Sequence, residues 1–217
     1  MPKPQARAAP PAKRLYLATP VIEDAAAFAR ELPSALGAAD VAAVLLRLKD
    51  ADERTLINRV KALVQPVQQT GAALLLHGHA EIVARASADG AHLTGIDAFS
   101  AALAGLKPER IAGCGGLRTR HDAMTVAQAG ADYVMFGEPA GGGRPSLDAI
   151  IERVSWWAEV FEVPCVGFAV EAAEVERLAD AGADFVAVGD FIWEDRRGAA
   201  AALADAMRAL NAAEVAR

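Results

Sequence analysis

The stretches "GADYVMFG" (130–137) and "GADFVAVG" (182–189) are near copies, and weaker echoes stand at 37–47 ("GAADVAAVLLR"), 70–78 ("TGAALLLHG") and 88–95 ("ADGAHLTG"). Each copy has a Gly/Ala start, a mostly apolar run and a polar stop. Self-similarity of this kind marks one supersecondary unit used repeatedly. Runs that are apolar on both faces belong to parallel strands covered by helices. Adding 14–18, 109–114 and 163–169 gives eight strands, with amphipathic helices near 24–36, 52–69, 79–86, 98–106, 119–129, 146–161, 171–180 and 198–212. The period is about 25 residues. The prediction is an α/β fold: a single-domain (β/α)₈ TIM barrel over 14–217, preceded by a disordered tail at 1–13. A doubly wound open sheet is the alternative. Against it, "LYLATPVIED" follows the first strand where a Gly-x-Gly-x-x-Gly fingerprint would be needed.

Composition narrows the partners. The 217 residues are 53% apolar, enough for one large core, and the net charge of −6 is spread along the chain. With no Lys/Arg run beyond the first residues, nucleic acid and anionic membranes are not expected partners. No apolar run reaches the roughly 18 residues that span a bilayer, and "MPKPQARAAPPAKR" lacks the apolar centre of a signal peptide. Cys114 and Cys165 each lie inside an apolar run and read as buried reduced thiols, which fits a cytoplasmic location. A homo-oligomer is compatible with these features.

In a barrel of this kind the active site lies where the strands end. The residues there are Thr19, Arg47 and Lys49, His77 and His79, Thr94 and Asp97, Gly115, Gly116 and Arg118, Glu138 with the loop 140–144, Glu171 and Asp190. Arg47 and Lys49 are i and i+2, so on one strand they share a face and can point at one anion. Asp97 precedes a helix and reads equally as an N-cap or a metal carboxylate. His77 and His79 can offer imidazoles to a soft ion such as Zn²⁺, together with Asp97, or simply cap a strand end. His92 lies among apolar residues and is expected to pack rather than to act. Three glycines before Arg144 suggest a mobile lid, a loop close to a ligand, or a solvated linker before a helix capped by Ser146.

The segments "RLYLATP", "VLLRLKD", "ADGAHLTGID", "GADYVMFGEP" and "GADFVAVGDFI" occur in this order at the expected barrel positions. In them the chain resembles thiamine phosphate synthase and its relative, the thiazole tautomerase. The resemblance implies a Mg²⁺-assisted reaction in which a pyrimidine methyl pyrophosphate ionises and a thiazole phosphate nitrogen captures the carbocation. It implies a small phosphorylated or anionic substrate, and it assigns Arg47 and Lys49 to the pyrophosphate and Asp97 to the metal. Arg144 stands one place from the family's lysine and can replace its charge. Thr19, His77, Thr94, Gly115 and Gly116 fall at substrate-contacting places, with the two glycines leaving a bare backbone.

Departures from the family pattern are equally specific. Where the resemblance calls for Asn-Asp after the third strand, the chain has His77 and Gly78, so one anionic Mg²⁺ ligand is gone. After the seventh strand Ala169, Val170 and Glu171 replace Gly-Gly-Ile, and Asp190 replaces a serine after the eighth. A valine and two carboxylates are poor neighbours for a phosphate. The tautomerase histidine on the fifth loop is unmatched; Arg118 falls nearest, and His121 lies within the next helix. Three functions follow: a synthase with drifted ligands, a barrel of the same family with another small-molecule chemistry or tautomerase-like activity, and a non-catalytic binding relative.

Overall fold

The computed structural model describes residues 12–139 and 143–215. The expected tail therefore falls largely, and the glycine loop mostly, outside the described residues. Eight parallel strands close into a barrel in sequence order. They are β1 (Arg14–Ile22), β2 (Val41–Leu48), β3 (Ala73–His77), β4 (Gly90–Thr94), β5 (Ile111–Gly115), β6 (Tyr133–Phe136), β7 (Cys165–Phe168) and β8 (Phe185–Val188). The helices are α1 (Ala25–Leu36), α2 (Glu53–Gln68), α3 (Val83–Ala86), α4 (Ile96–Leu106), α5 (Arg120–Ala129), α6 (Leu147–Val160), α7 (Ala172–Asp180), α8 (Asp190–Trp193) and α9 (Ala199–Val215). No helix among the described residues is long and apolar enough to cross a membrane.

Helix starts follow side-chain capping. Asp24, Asp52, Thr119 and Ser146 accept backbone N–H groups of α1, α2, α5 and α6, and Thr119 with Asp122 closes a full capping box. Two regions depart from the sequence prediction. The helix expected over 79–86 is a 3₁₀ turn (Ala80–Ile82) followed by the single turn α3, because His79 enters it in the left-handed region (φ 47°). The extra helix α8 is one turn, too short to leave a period in the sequence.

The recurring "GAD" has a structural reason. The carboxylates of Asp89, Asp132 and Asp184, each just before a strand, accept the N–H of Leu74 (2.7 Å), Ala112 (2.7 Å) and Cys165 (2.8 Å) on the preceding strand. β4, β6 and β8 are thus each latched to the preceding strand at the amino-terminal end of the barrel.

Alternation along the strands makes two cores. Outward-facing residues such as Val44, Leu74, Leu76 and Val186 pack under the helices, while Tyr16, Ala18, Leu45, Leu75, Tyr133, Met135, Val166, Phe168 and Ala187 fill the barrel. Trp157 of α6 is fully buried, and its indole N–H donates to Val163 O (2.7 Å). Cys114 and Cys165 are buried and free, as the sequence suggested, and burial pushes both thiols up to about 12.

Candidate functional site

Leu45 and Leu75 point into the barrel, so two residues further along Arg47 and His77 point into its mouth, at the carboxyl end of the strands. β2 and β3 pair Leu46 with Leu76, which makes these two residues neighbours. Arg47 is held from the side of β1 and β8. Its Nε donates to Thr19 O, its Nη2 forms an ion pair with Asp190, and its backbone N–H donates to Thr19 Oγ1 (3.1 Å). Thr19 is fully buried and positions Arg47 rather than facing a ligand. Lys49 lies just past the end of β2 and turns to Glu23 Oε2 (2.6 Å) in the loop after β1. The expected single anion for Arg47 and Lys49 is thus replaced by two separate carboxylates of the chain. Strand alternation fixes the side of a side chain only while the strand lasts, and β2 stops at Leu48.

A line of polar side chains runs from the barrel interior to its rim. Tyr16 Oη lies 2.8 Å from Tyr133 Oη, and Tyr133 Oη lies 2.9 Å from His92 Nδ1. His92 Nε2 lies 3.3 Å from Glu138 Oε2, while His77 Nε2 reaches Glu138 Oε1 and Thr94 Oγ1, each at 3.5 Å. Burial alone would raise the Glu138 carboxyl, but the hydrogen bonds and positive character of His77 and His92 outweigh it and hold it at about 2. An ionised carboxylate only accepts, so His92 Nε2–H donates to it. Nδ1 and the Tyr133 hydroxyl share the next hydrogen bond along the line. Burial pushes both tyrosine hydroxyls upward, so they stay protonated.

This line refines one expectation and corrects another. His92 is fully packed, as expected, and both its ring nitrogens also have polar partners. Gly115 is not bare backbone open to a ligand: a Cβ there would overlap Glu138 Oε2 and stand 2.7 Å from His92 Nε2. Gly113 makes the same kind of room for the Tyr133 ring. Gly116 adopts φ 65°, with its missing Cβ directed at the Thr94 methyl. Glycines at the last two inward positions of "IAGCG", Gly113 and Gly115, were the available sequence signal that large side chains from neighbouring strands fill the space. Beside Glu138 lies a cavity of about 330 Å³, lined also by Gly116, Leu117, Arg118, Met135, Arg144 and Arg153.

At the ends of β6 and β7, Arg144 is locked in place. Its Nε donates to Gly137 O (2.9 Å), its Nη2 to Phe168 O (2.9 Å), and its fork to Glu174 (Nη1–Oε1 3.0 Å, Nη2–Oε2 2.7 Å). Glu174 also accepts the Val170 N–H (2.8 Å), and its side chain is only 6% exposed. The cation expected to serve catalysis at Arg144 is therefore committed to an internal pair, one that the sequence hid because the partners are 30 residues apart. Glu171 is exposed at the start of α7, and its side chain makes no capping bond. Asp190 is 64% exposed and faces Arg47.

The expected metal ligands do not assemble. His77 faces Glu138, His79 Nδ1 lies 3.5 Å from Glu81, and Asp97 is exposed on the first turn of α4. Among the described residues no three His, Cys, Asp or Glu side chains are grouped to hold a metal ion. Mg²⁺ takes oxygen ligands in octahedral geometry, and the end of β3 offers an imidazole and a glycine (φ 70°), so these residues do not fit that ion.

The family model described as thiamine monophosphate synthase matches residues 15–192. A thiamine-phosphate synthase of Rhodospirillum centenum is 41% identical over 204 residues, covering 91% of this chain and 98% of that protein. One of Hyphomonas neptunium is 36% identical, covering 93% and 94%. Among solved structures, thiamine phosphate pyrophosphorylase from Pyrococcus furiosus superposes with a TM-score of 0.74 at 18% identity, covering 92% of this chain and 96% of that one. At a comparable TM-score of 0.71 stands the 3-hexulose-6-phosphate synthase from Salmonella typhimurium, 15% identical over 92% of this chain and 99% of that one, which reflects the shared barrel alone. With its eight-stranded barrel and its match along most of its length, the chain belongs to the thiamine monophosphate synthase family.

Proposed function

We propose that this chain acts in thiamine biosynthesis as a transferase of the synthase type, moving a hydroxymethylpyrimidine group from its pyrophosphate to a thiazole. Its turnover with thiazole phosphate is far below that of a typical relative. Membership of the family carries the reaction class. The slow rate rests on the mouth, where Arg47, Lys49 and Arg144 each already face a carboxylate of the chain. An incoming pyrophosphate has to displace Asp190 from Arg47 before it gains that charge. His77, next to Arg47 and at the rim end of the polar line, likewise faces a carboxylate, Glu138, while Arg118 and Arg153 line the adjoining cavity and are positioned to meet the pyrophosphate. No step is assigned to Mg²⁺, because its donor set is missing. The substrate is small and phosphorylated, no nucleic acid or membrane is involved, and a reduced cytoplasm suits the two thiols.

A steady-state assay with both family substrates and saturating Mg²⁺ tests this reading. Loss of a few kcal/mol of transition-state stabilisation predicts turnover on the order of a thousandfold below a typical family member. Turnover within about tenfold of that member would show the mouth to be fully competent.

A further inference from the structure

The ion pair at the ends of β6 and β7, counted above only as a cation already engaged, has a geometry of its own. Arg144 is aimed by two backbone carbonyls, Gly137 O and Phe168 O, and the Val170 N–H points to the same spot. Two guanidinium N–H groups and one amide N–H therefore converge on one anion, whose side chain is nearly sealed from solvent while Arg144 also borders the cavity beside Glu138. That donor set suits a phosphate as well as a carboxylate. It lies in the loop after β7, on the side of the mouth where barrels of this architecture commonly cup a phosphate. Here the anion is the Glu174 carboxylate. Around it the charge is already negative: Arg144 answers Glu174 and Arg47 answers Asp190, while Glu171 has no ionic partner among the described residues.

We propose that Glu174 permanently fills an anion cradle, so that the acceptor used by this chain is a thiazole whose side arm ends in a neutral hydroxyl rather than a phosphate. The acceptor part rests on the transferase reading above. In that reaction the methylene–oxygen bond of the pyrimidine pyrophosphate breaks, and its electron pair leaves on pyrophosphate. The lone pair of the thiazole nitrogen forms the new carbon–nitrogen bond. The side arm is untouched, so hydroxyl and phosphate acceptors are equally able to react and differ only in what holds them.

Two measurements on the full chain test the proposal. In thermal unfolding with inorganic phosphate, the wild type should not respond, while Glu174→Ala should gain a saturable rise in melting temperature that chloride at equal ionic strength does not produce. Equal responses in both proteins, or none in either, overturn the cradle. Glu174→Gln, which keeps the shape and removes the charge, gives the same comparison if the alanine variant does not fold. In the second measurement, kcat/KM with the thiazole alcohol should exceed that with thiazole phosphate by about tenfold or more in the wild type, and the gap should narrow in the variant. A wild-type preference for thiazole phosphate overturns the proposal. Turnover with neither acceptor, alongside a phosphate response in Glu174→Ala, supports the cradle and removes the transferase reading instead.

Discussion

At the amino-terminal end of the barrel Asp89, Asp132 and Asp184 do one job three times, each tying its strand to the one before. At the carboxyl end no two strands finish alike: β2 ends in an arginine paired across to Asp190, β4 and β6 in a His–Glu contact, and β7 in an amide bound to Glu174. Repeated latches share no partners, so their energies should add. The mouth is built of groups that share partners, so its energies should not. Stability is therefore distributed at one end and concentrated at the other.

The sharpest way to break this comparison is Glu174→Ala. It strands a buried guanidinium and should cost about 3–5 kcal/mol, whereas Arg144→Met combined with Glu174→Met should recover most of that loss. Urea denaturation of the single and double variants measures both, and additive losses would make the mouth no different from the latches.

Acid denaturation should reveal the next largest effect. Glu138 is held at about 2, below its ordinary 4.5, so its stabilisation is complete above pH 4.5 and is lost as pH falls toward 2. The depression corresponds to on the order of 3 kcal/mol. Glu138→Gln should start less stable at neutral pH, and its stability should fall less steeply between those two pH values. Parallel curves for variant and wild type would mean that His77 and His92 do not hold the carboxylate.

The smallest effects belong to the latches. Asp132→Ala and Asp184→Ala should each cost about 1–2 kcal/mol, and the double variant the sum. Calorimetric or urea data showing strong coupling between them would erase the contrast between the two ends.

The same contrast governs what could be read in the sequence. The strands were legible because a copied pattern betrays a copied environment, and the cap at Ser146 because it acts within three residues of itself. Arg47 and His77 were legible as mouth positions by counting along strands. The contact between His92 and Glu138 was not, since it joins side chains 46 residues apart across β5, where Gly113 and Gly115 leave the room. Nor was the pairing of Arg144 with Glu174, which depends on how α7 sets its first turn against the end of β6.

Gly115 also constrains history. Because any side chain there would collide with Glu138 and His92, glycine at 115 goes together with this arrangement of the glutamate and the histidine. A side chain can return at position 115 only if residue 138 is shortened and the His92 ring gives way as well. Substitutions at the three sites are thus coupled, and chimeras that exchange β5 alone between this barrel and a relative with a bulkier residue there should fail where exchanges running from β4 through the loop after β6 succeed.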